Sequence, residues 1–341
     1  MNLHELNKVA VAMVAPGRGI LAADESSGTI KKRFDAIKVE STEDSRRDYR
    51  EMLFRSGEAM SKYISGVILY DETIWQDAKD GTPLVKLIEQ AGSIPGIKVD
   101  EGTQALPRCP GELVTVGLDK LAERLKKYYE RGARFAKWRA VIDIGSGIPS
   151  MTAISVNAHA LARYAALCQA AQIVPIVEPE VLMDGNHDAA RCDEVTRWML
   201  QTTFNELAEQ RVALEGIVLK PNMVIAGKGS VRQASIDEVA ERTIAALKST
   251  VPSAVPGIAY LSGGQSDELA TAHLSRMNEI GGFPWKMTFS YGRALQAAPQ
   301  KAWSGKKENT AAAQRAFLHR ARMNGLASKG EWNEKLEKQA A

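Results

Sequence analysis

The chain of 341 residues is 45% hydrophobic and 25% charged, and its formal net charge is +3. This apolar fraction supports a full hydrophobic core and excludes an intrinsically disordered chain. The near balance of charge excludes the broad basic field expected of a nucleic-acid-binding protein, and the length fits a single α/β barrel.

The chain carries no pattern typical of a secreted or membrane protein. Residues 1–19 predict a short amphipathic helix rather than a signal peptide. The longest charge-free run, 144–162, is broken by Gly, Pro, Ser and Asn and would not span a bilayer. The cysteines, Cys109, Cys168 and Cys192, form no CxxC pair, and their odd number argues against a disulfide framework. We therefore expect a cytoplasmic protein with no membrane partner.

Eight short apolar runs recur along the chain, each followed by a polar or charged residue and then by a stretch of helical character. They begin at intervals of roughly forty residues, the size of a strand plus a crossover helix. This alternation predicts an α/β fold, a (β/α)8 TIM barrel formed by residues 1–310. Residues 311–341 are expected to add a C-terminal helix and polar tail to the same domain. The predicted strands are residues 19–26, 65–73, 95–102, 133–143, 173–181, 216–223, 256–265 and 285–294.

Amphipathic periodicity predicts helices between the strands. The clearest cover residues 119–131, 155–171, 193–211 and 236–248. The last of these opens on Ser235 with Glu238 three residues later, which is the pattern of a capping box. The residues after Gly325 are polar, and we expect them on the surface.

Charged and hydroxyl-bearing residues stand where the predicted strands end. In a barrel of this kind, the carboxyl ends of the strands form the floor of the active site. Residues two apart on a strand share a face, so Lys137 and Arg139 can point together, as can Glu178 and Glu180. An interior ion-pair network that only stabilises the barrel would give the same pattern. The strand-end residues are Asp24, Asp71, Lys98, Lys137, Arg139, Glu178, Glu180, Lys220, Ser262, Ser290 and Arg293.

The segment GIVLKPNM runs from apolar residues straight into Lys220. Pro221 holds the preceding residue in an extended conformation, so Lys220 is expected to end its strand and to face inward with Val218. A lysine amine becomes a nucleophile when burial or a nearby cation favours its neutral form, and Lys137 could supply that cation. A neutral amine beside carboxylates can form an iminium with a ketone, which stabilises the carbanion left by C–C cleavage. The residues alone do not decide among Lys220, Lys137 and Lys98.

Two groups of residues predict anion sites. The glycines of LSGGQ and SYGRA follow the last two strands, where backbone N–H groups and Arg293 could hold a phosphate. The segment ADESSGTIKKR supplies Ser26, Thr29 and Arg33 after the first strand, and Lys98 could face them. Two anion sites on one cavity suggest a substrate with a phosphate at each end.

Two further patterns predict no site. The segment GKGS at 227–230 lacks the P-loop glycine six residues before its lysine, where Asn222 stands, so we exclude a P-loop. The five histidines show no metal-ligand spacing, and we expect neither a metal nor a cofactor.

The motifs together resemble those of class I (Schiff-base) fructose-1,6-bisphosphate aldolase. The resemblance spans about residues 17–310 and is carried by LAADESSGTIKKR, VILYDET, GIKVDEGTQ, FAKWRAVI, VPIVEPEVL, VLKPNM, YLSGGQS and FSYGRALQ, which runs on to KAWSGKKEN. It implies the eightfold barrel, a homotetramer and a phosphorylated sugar as substrate. The implied reaction is metal-independent cleavage of fructose 1,6-bisphosphate to dihydroxyacetone phosphate and glyceraldehyde 3-phosphate, in glycolysis and gluconeogenesis.

The resemblance also implies a role for each site residue. Lys220 would form the Schiff base, and Glu178 would act as acid and base with Glu180 beside it. Lys137 would balance the charge around the Schiff-base lysine, and Asp24 would take the C4 hydroxyl proton. The residues implied for the C1 phosphate are Ser262, Gly263, Gly264, Ser290, Gly292 and Arg293, and those for the C6 phosphate are Ser26, Thr29, Lys98, Arg33 and Arg139.

Two departures from the family pattern affect these expectations. Many members end on a tyrosine that aids proton exchange on the enamine, whereas this chain ends EKLEKQAA and its last tyrosine is Tyr291. Glu178 or Glu180, acting through water, would have to protonate the enamine instead, or that step would be slow. Glu101 in GIKVDEG stands where lysine is familiar, which removes a positive charge near Lys98 and could weaken the C6 phosphate site.

Three alternatives stay open at the level of sequence. A Schiff-base aldolase could prefer fructose 1-phosphate or sedoheptulose 1,7-bisphosphate, and the region of Arg33 and Lys98 would decide this. A barrel that has lost catalysis could act as a binding scaffold, although the intact lysines and carboxylates at the strand ends argue against it. A metal-dependent aldolase finds no support in the histidine pattern.

Overall fold

The alternating apolar and helical segments fold into a closed barrel of eight parallel strands, which confirms the predicted (β/α)8 TIM barrel. The computed structural model describes residues 1–339, so the last two residues of the predicted tail, Ala340 and Ala341, lie outside it. Each of the eight predicted runs overlaps one barrel strand, although β2 and β3 begin one residue before the predicted run. In chain order, the strands are β1 (Gly19–Ala23), β2 (Ile64–Leu69), β3 (Ile94–Lys98), β4 (Thr103–Ala105), β5 (Leu113–Thr115), β6 (Phe135–Ile142), β7 (Val174–Val181), β8 (Val218–Leu219), β9 (Gly257–Tyr260) and β10 (Lys286–Tyr291).

The order of strands around the barrel brings ionisable residues together. The order is β1, β10, β9, β8, β7, β6, β3 and β2, with β2 paired to β1. The parallel register places Lys98 opposite Lys137 and Arg139 opposite Glu178. The short strands β4 and β5 lie outside the barrel and form an antiparallel hairpin between β3 and β6, which the sequence did not predict.

The helices connect and surround these strands. They are α1 (Leu3–Met13), α2 (Ser27–Ala36), α3 (Glu43–Phe54), α4 (Gly57–Tyr63), α5 (Asp71–Trp75), α6 (Leu84–Gln90), α7 (Leu121–Arg131), α8 (Met151–Ala170), α9 (Ala189–Glu209), α10 (Ile236–Thr250), α11 (Asp267–Ile280), α12 (Arg293–Trp303), α13 (Thr310–Ala327) and α14 (Glu334–Lys338). Short 3₁₀ turns occur at Leu214–Gly216 and Lys307–Asn309. No helix in the described chain combines the length and the apolar character needed to cross a membrane.

The barrel interior below the polar end is filled by apolar side chains. Ile20, Ile176 and Val218 are fully buried in one cluster, against which α1 also packs. The packing is close, because an ideal Cβ on Gly96 would lie 2.3 Å from the Phe135 ring. Val218 therefore belongs to the interior layers, and the alternation of side chains along β8 directs the residue two positions later inward.

Capping residues explain why two helices begin earlier than predicted. Both α8 and α9 start one turn before the predicted residue, because periodicity is a weaker signal than the cap at a helix end. Ser150 caps α8 by accepting a hydrogen bond from the N–H of Ala153, and Asp188 caps α9 by accepting one from Arg191.

The capping box predicted for α10 is only half formed. Ser235 accepts a hydrogen bond from the N–H of Glu238 at 3.2 Å, as predicted. The Glu238 carboxylate does not return to the cap but pairs with Arg232 and Arg242. Two nearby guanidinium groups therefore compete successfully for this carboxylate.

The prediction that the residues after Gly325 lie on the surface is wrong in part. The helix α13 continues to Ala327, which is fully buried, and Trp332 packs against the core. The Glu337 carboxylate accepts a hydrogen bond from Trp332 Nε1 at 2.9 Å and pairs with Arg320. These contacts depend on how the chain turns back on α13, so local polarity did not reveal them. The domain boundary at residue 310 stays a prediction.

Candidate active site

A cavity of about 910 Å³ opens at the carboxyl ends of the barrel strands. Its volume lies within the range of small-molecule sites. All sixteen residues predicted for the site line it, so residues scattered along the chain converge on one place. They are Asp24, Ser26, Thr29, Arg33, Lys98, Lys137, Arg139, Glu178, Glu180, Lys220, Ser262, Gly263, Gly264, Ser290, Gly292 and Arg293.

Lys220 lies at the floor of this cavity. The strand β8 ends at Leu219, one residue before the predicted end, but the N–H of Lys220 still donates to the Val177 carbonyl at 2.8 Å. Pro221 has no N–H, so the ladder stops there. The Lys220 side chain is 5% exposed, and its Nζ lies 3.1 Å from Glu178 Oε1. The amine is therefore held away from bulk water, in contact with a carboxylate.

Glu178 stands between two lysines. While Oε1 contacts Lys220, Oε2 lies 3.6 Å from the Nζ of Lys137. This second oxygen is buried and accepts no hydrogen bond from the residues that the structure describes. A buried carboxylate oxygen without a donor is costly, so it is available to a substrate hydroxyl or a water molecule.

Lys137 forms the closest ion pair of the cavity floor. Its Nζ lies 2.6 Å from Asp24 Oδ2 and 3.9 Å from Asp100 Oδ2. Burial disfavours the ammonium, but the surrounding carboxylates, first Asp24 and then Glu178, outweigh that cost and raise the pKa of Lys137 above its ordinary value. Lys137 is thus a permanent cation in this cavity.

Asp24 is the matching anion. Burial opposes ionisation of its carboxyl group, but the positive charges of Lys137 and Lys220 outweigh burial and hold the pKa of Asp24 well below its usual range. Asp24 follows β1, whereas its partner lies on β6, and the barrel closes the distance between them. An ionised carboxylate at this place can accept a proton from a substrate hydroxyl.

The sequence reasoning missed Asp100, which completes the charge cluster. Its side chain is buried, and its Oδ1 lies 2.7 Å from the Nζ of Lys98. Its Oδ2 accepts a hydrogen bond from the N–H of Arg139 at 3.3 Å. The signal was present in the sequence, because Asp100 stands two residues after the strand-end Lys98, as Arg139 does after Lys137.

Glu180 and Arg139 form a pair of their own. The Arg139 Nε donates to Glu180 Oε2, and the Arg139 side chain is 44% exposed at the cavity wall. Burial disfavours the guanidinium charge, but the carboxylate of Glu180 raises the pKa of Arg139. Glu180 is thus engaged by arginine and stands apart from the contact between Glu178 and Lys220.

The loops after β9 and β10 form one end of the cavity. Gly263 and Gly264 both have positive φ angles, +59° and +88°, which favour glycine. The hydroxyl oxygen of Ser290 is buried without a hydrogen-bond partner in the described chain. Gly292 caps α12, so the positive end of that helix and Arg293 face the same region. This end is suited to an anion.

The residues after β1 form a second polar end. Ser26 caps α2, accepting a hydrogen bond from the N–H of Thr29 at 3.4 Å, and its hydroxyl lies 3.1 Å from that of Thr29. Arg33 pairs with Glu25, a buried carboxylate that sequence reasoning did not single out. Gln296 also donates to Glu25, at 2.8 Å. Glu25 therefore fixes the direction of the Arg33 guanidinium.

Glu101 is turned partly away from this second end. Its carboxylate is 57% exposed and lies 3.3 Å from an Arg124 nitrogen. Its backbone N–H donates to Val116 on the hairpin side of the loop. Much of the negative charge expected to disturb Lys98 is therefore shared with Arg124 and with solvent.

The cavity floor gathers groups that are suited to carbonyl chemistry. Within residues 1–339, no group of three or more His, Cys, Asp or Glu side chains is placed to hold a metal ion. The floor instead offers a buried primary amine, a carboxylate with an open oxygen and a permanent cation, with anion sites on either side. These are the groups that carbonyl addition, dehydration and proton abstraction require.

Comparisons with known proteins show the family to which the chain is similar. The fructose-bisphosphate aldolase class-I family model matches residues 5–341. A probable fructose-bisphosphate aldolase class 1 from Xanthomonas campestris pv. campestris is 57% identical over 333 residues, which are 97% of this chain and 99% of that protein. Fructose-bisphosphate aldolase 1 from Toxoplasma gondii is 54% identical, over 96% of this chain and 91% of that protein.

A solved structure shares both the fold and much of the sequence. It is that of fructose-bisphosphate aldolase from Plasmodium falciparum, determined in complex with TRAP and a small molecule inhibitor. The TM-score is 0.95 at 48% sequence identity, over 97% of this chain and 96% of that one. Since sequence and structure agree over nearly the whole length, the chain belongs to the class I fructose-bisphosphate aldolase family.

Proposed function

We propose that this protein cleaves fructose 1,6-bisphosphate to dihydroxyacetone phosphate and glyceraldehyde 3-phosphate through a Schiff base on Lys220, and catalyses the reverse condensation. The observation that carries the proposal is the contact of a buried Lys220 amine with Glu178, beside the permanent cation Lys137. No metal takes part in this reaction sequence.

Formation of the Schiff base requires a neutral amine. Glu178 lies between Lys220 and Lys137, so it can take the proton that the Lys220 amine releases as it adds to the substrate, while Asp24 holds Lys137. The amine adds to the C2 ketone to give a carbinolamine. Glu178 then protonates the departing hydroxyl, which leaves as water, and the iminium forms.

Cleavage of the C3–C4 bond uses the iminium as an electron sink. The ionised Asp24 accepts the C4 hydroxyl proton, and C4 becomes the aldehyde carbon of glyceraldehyde 3-phosphate. The bonding electrons move to C3 and form an enamine with Lys220. Lys137 stabilises the negative charge of the carboxylates throughout, since it keeps its proton.

The enamine must then take a proton at C3. Glu178 is the carboxylate in contact with Lys220, whereas Glu180 is engaged by Arg139. We therefore assign protonation of the enamine to Glu178, directly or through a water molecule. Hydrolysis of the iminium releases dihydroxyacetone phosphate and restores the amine.

The two polar ends would hold the two phosphates. The C1 phosphate fits the loops after β9 and β10, where the Ser290 hydroxyl and the N–H groups of Gly263 and Gly264 are available. The C6 phosphate fits the region of Ser26, Thr29, Arg33, Lys98 and Arg139. Basic groups at both ends favour a bisphosphate over a monophosphate, although fructose 1-phosphate and sedoheptulose 1,7-bisphosphate stay as alternatives. A homotetramer, a cytoplasmic location and a place in glycolysis and gluconeogenesis also stay predictions.

Steady-state cleavage assays in the presence of EDTA test the proposal. We expect turnover of fructose 1,6-bisphosphate by the unaltered protein, loss of turnover in Lys220→Met, and no loss in Lys86→Met, an exposed-lysine control. Activity that EDTA abolishes would overturn the metal-independent route. Equal kcat/KM for fructose 1-phosphate and the bisphosphate would argue against a working second phosphate site. A complete absence of turnover would favour the scaffold alternative.

A further inference from the structure

Lys228 lies beside the glycine loop at the C1-phosphate end of the cavity, although the sequence around it predicted no site. An ideal Cβ on Gly264 would lie only 3.2 Å from the Nζ of Lys228. The Lys228 side chain is 49% exposed, lines the cavity and pairs with Asp184, whose Oδ1 is 3.0 Å away. A positive charge therefore stands against this loop, in addition to that of Arg293.

The glycines on either side of Lys228 serve to dock its loop. The N–H of Lys228 donates to the Met183 carbonyl at 2.8 Å, and the N–H of Gly229 donates to Gly185 at 2.9 Å. An ideal Cβ on Gly227 would lie 2.4 Å from the Gly185 oxygen, which only glycine avoids. The GKG segment thus lets the loops after β7 and β8 pack closely against each other. This packing fixes the backbone position of Lys228 beside the cavity.

The neighbouring loop after β9 has backbone N–H groups that are free to bind an anion. Within residues 1–339, the N–H groups of Gly263 and Gly264 donate to no protein acceptor, whereas that of Gln265 donates back to Ser262 at 3.0 Å. Successive backbone N–H groups in a turn can form a concave nest for an anion. A phosphate seated there would have an oxygen within reach of Lys228 after rotation about the last bonds of its side chain.

We propose that Lys228 binds the C1 phosphate of the substrate and that Asp184 is its counter-ion in the substrate-free cavity. This inference rests on the proposed aldolase function. The Asp184 carboxylate is 63% exposed, so its pairing with the ammonium is weak. A phosphate carries more charge and three acceptor oxygens, and it therefore displaces Asp184.

The proposal predicts that the effect of Lys228 on binding depends on which phosphate a substrate carries. Fructose 1,6-bisphosphate, fructose 1-phosphate and dihydroxyacetone phosphate all place a phosphate at this end. Glyceraldehyde 3-phosphate carries its phosphate at the second polar end, near Ser26 and Lys98. Loss of the Lys228 charge should therefore weaken the first group and spare the last.

Condensation kinetics with the full-length protein test this assignment. We expect Lys228→Met to raise the KM for dihydroxyacetone phosphate about fivefold, with no change in the KM for glyceraldehyde 3-phosphate. Lys228→Arg keeps the charge and should retain most of the affinity. The matched variant Asp184→Asn breaks the same ion pair but frees the ammonium, so it should lower the KM for dihydroxyacetone phosphate or leave it unchanged.

The contrast between these variants decides between a binding and a structural role. Equal increases in KM for Lys228→Met and Asp184→Asn would mean that the ion pair only holds the two loops, and would overturn the proposal. An unchanged KM for dihydroxyacetone phosphate in Lys228→Met would also overturn it, with the proposed function intact. An unaltered protein that forms no fructose 1,6-bisphosphate from the two triose phosphates would overturn the proposed function and this inference with it.

Discussion

Replacement of Lys137 by methionine tests whether the cavity floor is an interdependent charge cluster. The variant Lys137→Met keeps the length of the side chain but leaves Asp24, Glu178 and Asp100 without their shared cation. At an effective dielectric constant of about 20, the attraction is about 6 kcal/mol for the 2.6 Å pair with Asp24 and about 4 to 5 kcal/mol for each of the others. Burial offsets most of this sum, and loss of one partner of a buried pair costs about 3 to 5 kcal/mol.

The destabilisation should depend on pH in a defined direction. In the unaltered protein, the folded-state pKa of Asp24 is depressed, so its contribution to stability is present above the ordinary aspartate pKa of 3.8 and is lost as pH falls below it. In Lys137→Met, burial acts against a weaker cationic field and raises the pKa of Asp24. Because Asp24 in the folded variant then takes up a proton, the free energy of unfolding of the variant rises relative to that of the unaltered protein as pH falls from 7 toward 5. The difference in stability between the two proteins therefore narrows.

Urea denaturation at fixed protein concentration, followed by tryptophan fluorescence, measures both effects. The double variant Asp24→Asn with Lys137→Met should recover much of the lost free energy of unfolding, because the unpaired carboxylate is gone. Lys86→Met removes an exposed lysine from a pair with Glu89 and should leave the free energy of unfolding nearly unchanged. A loss below about 1 kcal/mol in Lys137→Met, independent of pH, would refute the reasoning, since the cluster would then carry no net coupling.

Three further predictions concern packing, acid sensitivity and substrate affinity. Gly96→Ala should cost about 1 to 3 kcal/mol in urea denaturation, because the new Cβ meets the Phe135 ring, and a second change, Phe135→Leu, should relieve part of that cost. Burial lowers the pKa of His273 from 6.5 to about 4 in the folded protein. The folded protein therefore loses stability as pH falls from about 6.5 toward 4, because only the unfolded chain takes up this proton in that range. The free energy of unfolding should therefore fall by about 2 kcal/mol more between pH 7 and pH 5 in the unaltered protein than in His273→Gln. Glu101→Lys removes the partner of Arg124 and adds positive charge at the second polar end, so the KM for fructose 1,6-bisphosphate should fall about twofold at low ionic strength.

Each of these predictions has a result that would contradict it. An unchanged stability of Gly96→Ala would mean that the barrel interior relaxes around the methyl group. Equal pH profiles for His273→Gln and the unaltered protein would mean that this histidine has the same pKa in the folded and the unfolded states. The fall in KM for Glu101→Lys could persist in high salt or appear equally for fructose 1-phosphate. Either result would mean that the added charge does not act on the C6 phosphate.

The sequence predicted the barrel because each strand is marked by a local sequence pattern. An apolar run such as GIVL or VPIV marks a buried strand without reference to the rest of the chain, and the following polar residue marks its end. Since the carboxyl ends of parallel strands meet at one side of a barrel, the convergence of Asp24, Lys137 and Lys220 follows from the fold class alone. The same logic could have identified Asp100, had the residue two positions after Lys98 been counted with its strand.

The choice of partners could not be predicted in this way. Side-chain pairing depends on register and loop geometry, which the local pattern does not contain. Arg139 engages Glu180, and Glu25 holds Arg33, because neighbouring strands and α2 bring them together. The GKGS segment was predicted to form no P-loop, and its place in the cavity comes from a loop contact that no spacing rule describes.

The most direct test of the central claim is mass spectrometry of the protein after incubation with dihydroxyacetone phosphate and borohydride. Reduction traps an iminium as a stable secondary amine, and peptide mapping then locates it. We expect a single reduced adduct on the peptide that contains Lys220, and no adduct in Lys220→Met. An adduct on Lys137 or Lys98, or full turnover without any trapped adduct, would contradict the assignment of Lys220 as the Schiff-base lysine.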